Sequence, residues 1–236
     1  MDDLLVQFGR ENGLELPLSA APAFRRYYHF LEEKGKVMNL TAITGEENVY
    51  TLHFLDCLSI ASVRKMEGCS VIDVGSGAGF PGLPLKIAVP RLRLTLLDAQ
   101  KKRVDFLREL CQQLGLDDVQ CVHARAEESA FDGMMRERYD YALSRAVARL
   151  NVLCELCLPF VSPGGMFIAM KGTDSDEEID LAQTAVRTLG GCLEEIRDYT
   201  VPGTDVRHRL VIIRKTDRTP SGYPRKFAKI SRSPLI

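Results

Sequence analysis

The chain has 236 residues, 45% hydrophobic and 27% charged, with a formal net charge of −1, a composition ordinary for one folded domain with at most a small appended piece. No apolar run approaches the ~20 residues of a spanning helix, and Met1-Asp2-Asp3-Leu4-Leu5 lacks the basic-then-apolar layout of a signal peptide. A cytoplasmic protein with no membrane contact is therefore expected.

The first sixty residues read as helical. Ser19 to Lys36 carries Phe24, Tyr27, Tyr28 and Leu31 at helical spacing, and Glu46 to Val63 turns Val49, Leu52, Leu55, Leu58 and Ile60 to one side. The turn Met38-Asn39-Leu40-Thr41-Ala42 separates them. Tyr27, Tyr28 and Phe30 read as core residues rather than as base-stacking platforms. His53 and Asp56, at i and i+3, read as a structural pair. Past a break near Arg64 to Gly68 the pattern alternates. Strands are predicted at 69–74, 93–98, 119–123, 139–144, 166–171, 192–200 and 207–214. Helices are predicted between them at 81–89, 101–115, 127–135, 150–158 and 176–189. This alternation predicts an α/β fold, a mainly parallel sheet with helices on both faces. Only Val201 to Val206 joins the last two strands, too short for a crossover, so they should pair antiparallel. The domain boundaries that follow are an N-terminal helical cap (1–66), a sheet domain (67–216) and a basic tail (217–236).

Val71-Ile72-Asp73-Val74-Gly75-Ser76-Gly77-Ala78-Gly79-Phe80-Pro81-Gly82 is the most informative stretch. It reads as a buried strand, a turn whose backbone can approach a ligand, and a helix start. Two cofactors suit such a turn. Gly77 to Gly82 satisfies the dinucleotide fingerprint, whereas Gly75-Ser76-Gly77-Ala78-Gly79 fits the S-adenosylmethionine (SAM) loop. Pro81 and Pro84 each remove an N–H from the turn, which weakens a pyrophosphate cradle. Asp73 suits a cationic ligand, and Asp98, ending Arg93-Leu94-Thr95-Leu96-Leu97-Asp98, could accept ribose hydroxyls in either cofactor. Seven strands ending in an antiparallel hairpin match the Rossmann-like class I SAM-dependent methyltransferase sheet.

Seven cysteines, an odd number with no secretory signal, read as reduced, mostly buried thiols. Cys154 and Cys157 form a CxxC, but both fall on the apolar face of a helix and no second ligand pair follows, so no metal is expected. From Gly203 to Ile236 nine Lys/Arg face two Asp, whereas the rest of the chain holds 22 bases and 30 acids. A basic edge on an acidic body is either a handle for nucleic acid or a solvated tail.

Several separated stretches together resemble the bacterial 16S ribosomal RNA guanine N7-methyltransferases, also called glucose-inhibited division protein B. They are Asn39-Leu40-Thr41, His53-Phe54-Leu55-Asp56-Cys57-Leu58, the loop Asp73 to Pro84, Asp98 with Lys102-Arg103, and Arg125-Ala126-Glu127-Glu128. Tyr139-Asp140 with Ser144-Arg145-Ala146, Lys171-Gly172 and Tyr223-Pro224-Arg225-Lys226 complete the set. Cys57 departs from the family's usual serine. The resemblance implies transfer of a methyl group from SAM to N7 of a guanine in 16S ribosomal RNA of the small ribosomal subunit; nothing in the sequence suggests an obligate dimer, so a monomer is expected. It places SAM on Asp73, Gly75, Gly77, Gly79, Phe80, Asp98, Ala126, Glu127 and Arg145. Arg145 and Lys171 would orient the guanine or its phosphate, and Arg207, Arg209, Arg225, Lys226 and Lys229 would hold the RNA backbone. The alternatives left open are a small-molecule SAM-dependent methyltransferase and an NAD-dependent oxidoreductase.

Overall fold

The computed structural model describes residues 1–38, 40–145 and 148–236; Asn39 and Ala146 of the motifs above lie outside them. Helices α1 (Asp2–Glu11), α2 (Ala20–Met38), α3 (Glu46–Val49) and α4 (Asp56–Val63) come first, with the π-helical turn Tyr50–Leu55 joining α3 to α4. Seven strands follow: β1 (Ser70–Val74), β2 (Arg93–Asp98), β3 (Gln120–His123), β4 (Tyr139–Arg145), β5 (Val161–Gly172), β6 (Gly191–Thr200) and β7 (Arg207–Lys215). Between and after them lie α5 (Gly82–Ala88), α6 (Lys101–Leu114), α7 (Ala126–Ser129), α8 (Leu150–Cys157), α9 (Asp176–Thr188) and α10 (Phe227–Arg232).

The strands form one sheet in the order β3-β2-β1-β4-β5-β7-β6. β1 to β5 run parallel, and β7 lies antiparallel to both β5 and β6, as the short connection requires. Strand residues are buried on alternate sides because successive side chains point to opposite faces. Leu94, Leu96, Leu143, Ile168, Met170, Leu210 and Ile212 pack with α1, α2, α4, α5 and α6. Ile72, Val74, Ala142, Phe167, Ala169, Val211 and Ile213 pack with α8, α9 and α10. The N-terminal helices thus share a core with one sheet face. Phe24 and Tyr27 are fully buried there, and Tyr28 and Phe30 pack against it.

Three elements depart from the expected pattern. The helix expected over 127–135 ends at Ser129, because Asp132-Gly133 turns the chain: the Asp132 carboxylate accepts from the Met134 N–H at 2.8 Å. β5 begins at Val161, which pairs with Tyr139 ahead of an irregularity that returns the register at Tyr141 and Met166. The helix expected over 46–63 contains a full π turn, of a kind frequent at functional sites.

The basic tail is docked rather than solvated. The Arg136 guanidinium donates to the carbonyls of Thr219 (2.9 Å), Pro220 (3.2 Å) and Tyr223 (2.9 Å). Glu155 of α8, fully buried, accepts from the Arg225 backbone N–H at 2.7 Å and from its Nε and Nη2 at 2.8 and 2.6 Å. Arg225, expected on the RNA backbone, is instead a latch: its fork is consumed by a carboxylate that could not be buried without it. Glu155→Ala should lower stability by about 3 kcal/mol, the scale of breaking one side of a buried pair, and should speed proteolysis within 219–236. Urea denaturation and limited trypsin digestion measure both effects.

Candidate active site

The glycine turn after β1 closes on itself. Gly75 and Ser76 donate their N–H groups to the Leu97 carbonyl (2.8 and 3.2 Å), and Gly79 and Phe80 donate to the Ser76 carbonyl (2.8 and 3.0 Å). Gly77 donates to Asp98 Oδ2 at 3.0 Å, and Gly82 donates to Asp73 Oδ2 at 2.9 Å. A pyrophosphate needs free amides at such a turn, and here those of Gly75, Ser76, Gly77, Gly79, Phe80 and Gly82 are already committed. The dinucleotide reading therefore loses its main binding element. A cavity of about 460 Å³ lies over the turn, lined among others by Leu40, Thr41, Gly75, Gly77, Phe80, Asp98 and Arg103. That volume is in the range of small-molecule sites.

Asp98 ends β2 at the wall of this cavity, 4% exposed. Its Oδ1 accepts from the Gln100 N–H at 2.8 Å and its Oδ2 from Gly77. Each carboxylate oxygen has a second lone pair, so the group is oriented yet still able to accept hydroxyl donors. Missing Cβ atoms at Gly75 and Gly77, a carboxylate with acceptor capacity to spare and no anion cradle fit an adenosyl sulfonium.

Asp73 and Gly79 act differently from the sequence expectation. Asp73 is fully buried on the sheet face that carries α5, and holds the start of that helix through Gly82 rather than touching the cavity. Burial raises its carboxyl to about 7, against the opposing effect of the Gly82 hydrogen bond, and its Oδ1 finds no partner among the described residues. Gly79 has φ +102°, and a Cβ there would sit 2.6 Å from Leu83 Cδ1 and 2.7 Å from Tyr27 Oη. It is glycine so that α2 and α5 can close around the turn.

The turn is also clamped from the N-terminal helices. Tyr27 donates its hydroxyl to the Ala78 carbonyl at 2.7 Å, and its ring stacks on Phe80 at 5.5 Å. The His53 ring stacks on Phe80 at 4.4 Å, and the Arg145 guanidinium lies 4.7 Å from the same ring. Arg145, at the carboxyl end of β4, donates to His53 Nδ1 (2.9 Å), Asp56 Oδ2 (3.3 Å) and the Leu52 carbonyl (3.3 Å). Arginine can only donate, so His53 Nδ1 accepts, and Nε2 carries the proton it gives to Thr41 Oγ1 at 2.8 Å. Burial and the neighbouring guanidinium push the imidazole down to about 3, and it stays neutral. Asp56 is 1% exposed; its Oδ1 accepts from Tyr199 Oη (2.7 Å) and His208 Nδ1 (2.9 Å). The Asp56 hydrogen bond raises the His208 imidazole.

A second cavity, of about 320 Å³, shares His53 and Arg145 with the first and is also walled by Leu52, Asp56, Met170 and His208. Lys171 reaches its rim, but strand alternation turns it to the face opposite Arg145. There it pairs with Glu178 at 2.6 Å and donates to the Ala148 carbonyl at 3.1 Å. His208, on the Arg145 face, occupies the position that sequence reading assigned to Lys171. Arg209 is also a correction: nearly buried, it pairs with Asp198 and Asp176 at 2.5 Å each, so its charge is neutralised within the protein. Ala126 and Glu127 open α7 just past β3, but they are not on the wall of the first cavity. Glu127 lines a separate groove, where Arg125 lies 3.4 Å from its Oε1. Arg207, Lys226 and Lys229 are exposed and form no ion pair with the described residues. Cys154 and Cys157 are buried thiols, raised by desolvation. Four of the seven cysteines (Cys57, Cys111, Cys154 and Cys157) are buried, as expected, whereas Cys69 and Cys121 are partly exposed and Cys192 is exposed. No group of three or more His, Cys, Asp or Glu among the described residues could hold a metal ion.

Sheet order, glycine turn and the acid ending β2 together define a class I SAM-dependent methyltransferase. Solved structures share this fold. MtNAS, crystallised with MTA and tNA, is 14% identical with a TM-score of 0.56 over 83% of this chain and 70% of its own. A predicted O-methyltransferase from Agrobacterium tumefaciens is 18% identical with a TM-score of 0.53 over 70% and 81%. The family model described as GidB, rRNA small subunit methyltransferase G, matches residues 20–205. Ribosomal RNA small subunit methyltransferase G of Alkaliphilus metalliredigens is 49% identical over 96% of this chain and 95% of its own. The protein of that name from Thermoanaerobacter pseudethanolicus is 45% identical over 99% and 98%. The chain belongs to the rRNA small subunit methyltransferase G family.

Asp73 makes a pH signature of this packing. Its folded carboxyl titrates near 7, above the ordinary 3.8, so between those values the folded chain holds a proton that the unfolded chain has released. Stability contributed by this group is present below pH 4 and is lost as pH rises toward 7. The difference in unfolding free energy between wild type and Asp73→Asn, followed by urea denaturation from pH 4 to 7, should move steadily in favour of the variant.

Proposed function

We propose that the protein methylates N7 of a guanine in 16S ribosomal RNA of the small ribosomal subunit, acting as a cytoplasmic monomer. SAM, when bound, supplies an electrophilic methyl group on a sulfonium. The first cavity takes this donor through Gly75, Gly77, Phe80 and Asp98, with Asp98 accepting the ribose hydroxyls. Ala126 and Glu127 stand outside its wall. The second cavity takes the acceptor base, and the two meet at His53 and Arg145.

One observation carries the choice of acceptor atom: among the described residues, neither side chain shared by the two cavities, His53 or Arg145, is able to remove a proton. His53 is neutral with both ring nitrogens engaged, Asp56 already accepts from three donors, and Lys171 is paired with Glu178. An exocyclic amine or a ribose hydroxyl would have to lose a proton to become a neutral product. Guanine N7 has an in-plane lone pair and no proton to lose. What the residues contribute is orientation and exclusion of water, which can supply up to about 7–11 kcal/mol of a barrier. Arg145 and His208, both hydrogen-bonded to Asp56, flank the acceptor cavity, and the Arg145 guanidinium offers a donor to the purine carbonyl. Arg207, Lys226 and Lys229 are the cations left for phosphates, whereas Arg209 and Arg225 hold the protein together.

Incubation with labelled SAM and undermethylated ribosomal RNA, followed by mapping, should place label on N7 of one guanine. Label on a free metabolite or on another base atom would overturn the reading. Asp98→Ala should weaken SAM binding by about 1–3 kcal/mol, the cost of lost charged hydrogen bonds; calorimetry measures it, with Asp98→Asn separating charge from loop support. Lys226→Ala with Lys229→Ala should lower RNA affinity and reduce the salt slope by about 0.7 per lost phosphate contact. Filter binding across a salt series should show Arg209→Ala sparing that slope while lowering stability.

A further inference from the structure

Of the ten phenylalanines and seven tyrosines in this tryptophan-free chain, only Phe131 and Phe227 are exposed, at 54% and 41%. Both line one groove of about 940 Å³, between α7 and the docked tail. Leaving two large aromatic faces in water at the same place loses burial that the other fifteen obtain. Each carries a guanidinium: Arg136 lies 5.7 Å from the Phe131 ring centre and Arg125 lies 5.7 Å from that of Phe227. Beside them Lys226, at the N-cap of α10, and Lys229 and Arg232 within it are exposed and without ion pairs to the described residues. Glu128 is the exposed acid on the rim. Flat aromatic and guanidinium surfaces next to unpaired cations are the combination that holds single-stranded nucleic acid, bases on the rings and phosphates on the amines.

We propose that this groove is a second RNA-binding site, in which an unpaired nucleotide flanking the methylated position stacks on Phe227 and Phe131 while α10 holds its phosphates. The assignment rests on the RNA methylation reading and adds a specific contact to it. Because α7 starts just past β3, the groove opens near the sheet edge that carries the two cavities, and one strand could engage both. The site also explains why the tail is latched by Glu155 and Arg136: a stacking platform works only if its two walls are held at a fixed separation.

Absence of tryptophan makes Phe227→Trp a single-fluorophore reporter. Its emission should be quenched by a single-stranded RNA oligonucleotide of mixed sequence and not by the same backbone made abasic. Phe131→Ala with Phe227→Ala should raise the KM for ribosomal RNA roughly tenfold and leave SAM affinity unchanged, whereas Phe227→Tyr should retain a KM near wild type. No quenching, or equal quenching by the abasic strand, would overturn the site. So would quenching by SAM alone, which would make the groove part of the cofactor cavity, or a concentration-dependent dimer abolished by the double alanine variant. A wild-type protein that does not methylate RNA would sink the functional reading instead. Methylation with an unaltered KM in the double variant would sink the groove alone.

Discussion

The site is organised around one largely buried cation. Arg145 leaves the end of β4 with its guanidinium among Asp56, His53 and the face of Phe80, and those three partners come from a helix, a π turn and the glycine loop. Taking an arginine out of water is costly, and only a complete set of partners offsets it. Once that set is assembled, the N-terminal helices cannot sit on the sheet in any other register without stranding a charge. The pair is thus better understood as fixing a geometry than as adding net stability.

That constraint determines what chemistry the junction can support. Each polar group brought to Arg145 is used up by being there. His53 loses its basicity, and Asp56 becomes an acceptor shared by Tyr199, His208 and Arg145. A site assembled in this way is poor at moving protons and good at holding two ligands in line. Methyl transfer to a ring nitrogen asks only for the second property. Phe80, stacked on the rings of Tyr27 and His53, carries the same ordering into the loop, so the two cavities are held together by one stack of side chains.

Much of the fold was legible because strand and helix periods differ. The alternation from 69 onward, the short link 201–206 and the apolar run around Asp73 each have a local physical cause, and the predicted strands fall within a few residues of the observed ones except at β5. The candidate site was legible only where a cavity-lining residue also meets a backbone need: Gly75 and Gly77 at the turn, Asp98 at a strand end, Phe80 in the loop. It failed where residue type suggested one partner and packing supplied another. Arg209 and Arg225 look like phosphate ligands in a basic tail, yet both are absorbed by acids distant in sequence. Asp73 looks like a ligand carboxylate and is a buried helix support. His53 and Asp56, spaced to face each other, both turn toward Arg145, and His208 gave no sequence signal beyond being a lone histidine in a strand.

Local sequence by itself determined the elements, their order, the parallel sheet with its closing hairpin and the glycine turn that accepts an adenosyl group, because periodicity and backbone permissiveness act over a few residues. Tertiary structure alone decided which charges stay free. Neutralisation depends on which acid lies within a few ångströms of which base, and in this chain those partners are separated by as many as 152 positions, as between His208 and Asp56. Spacing in the chain carries no information about such distances, so the division between cations left unpaired at the surface and cations that hold the protein together was written only in the folded form.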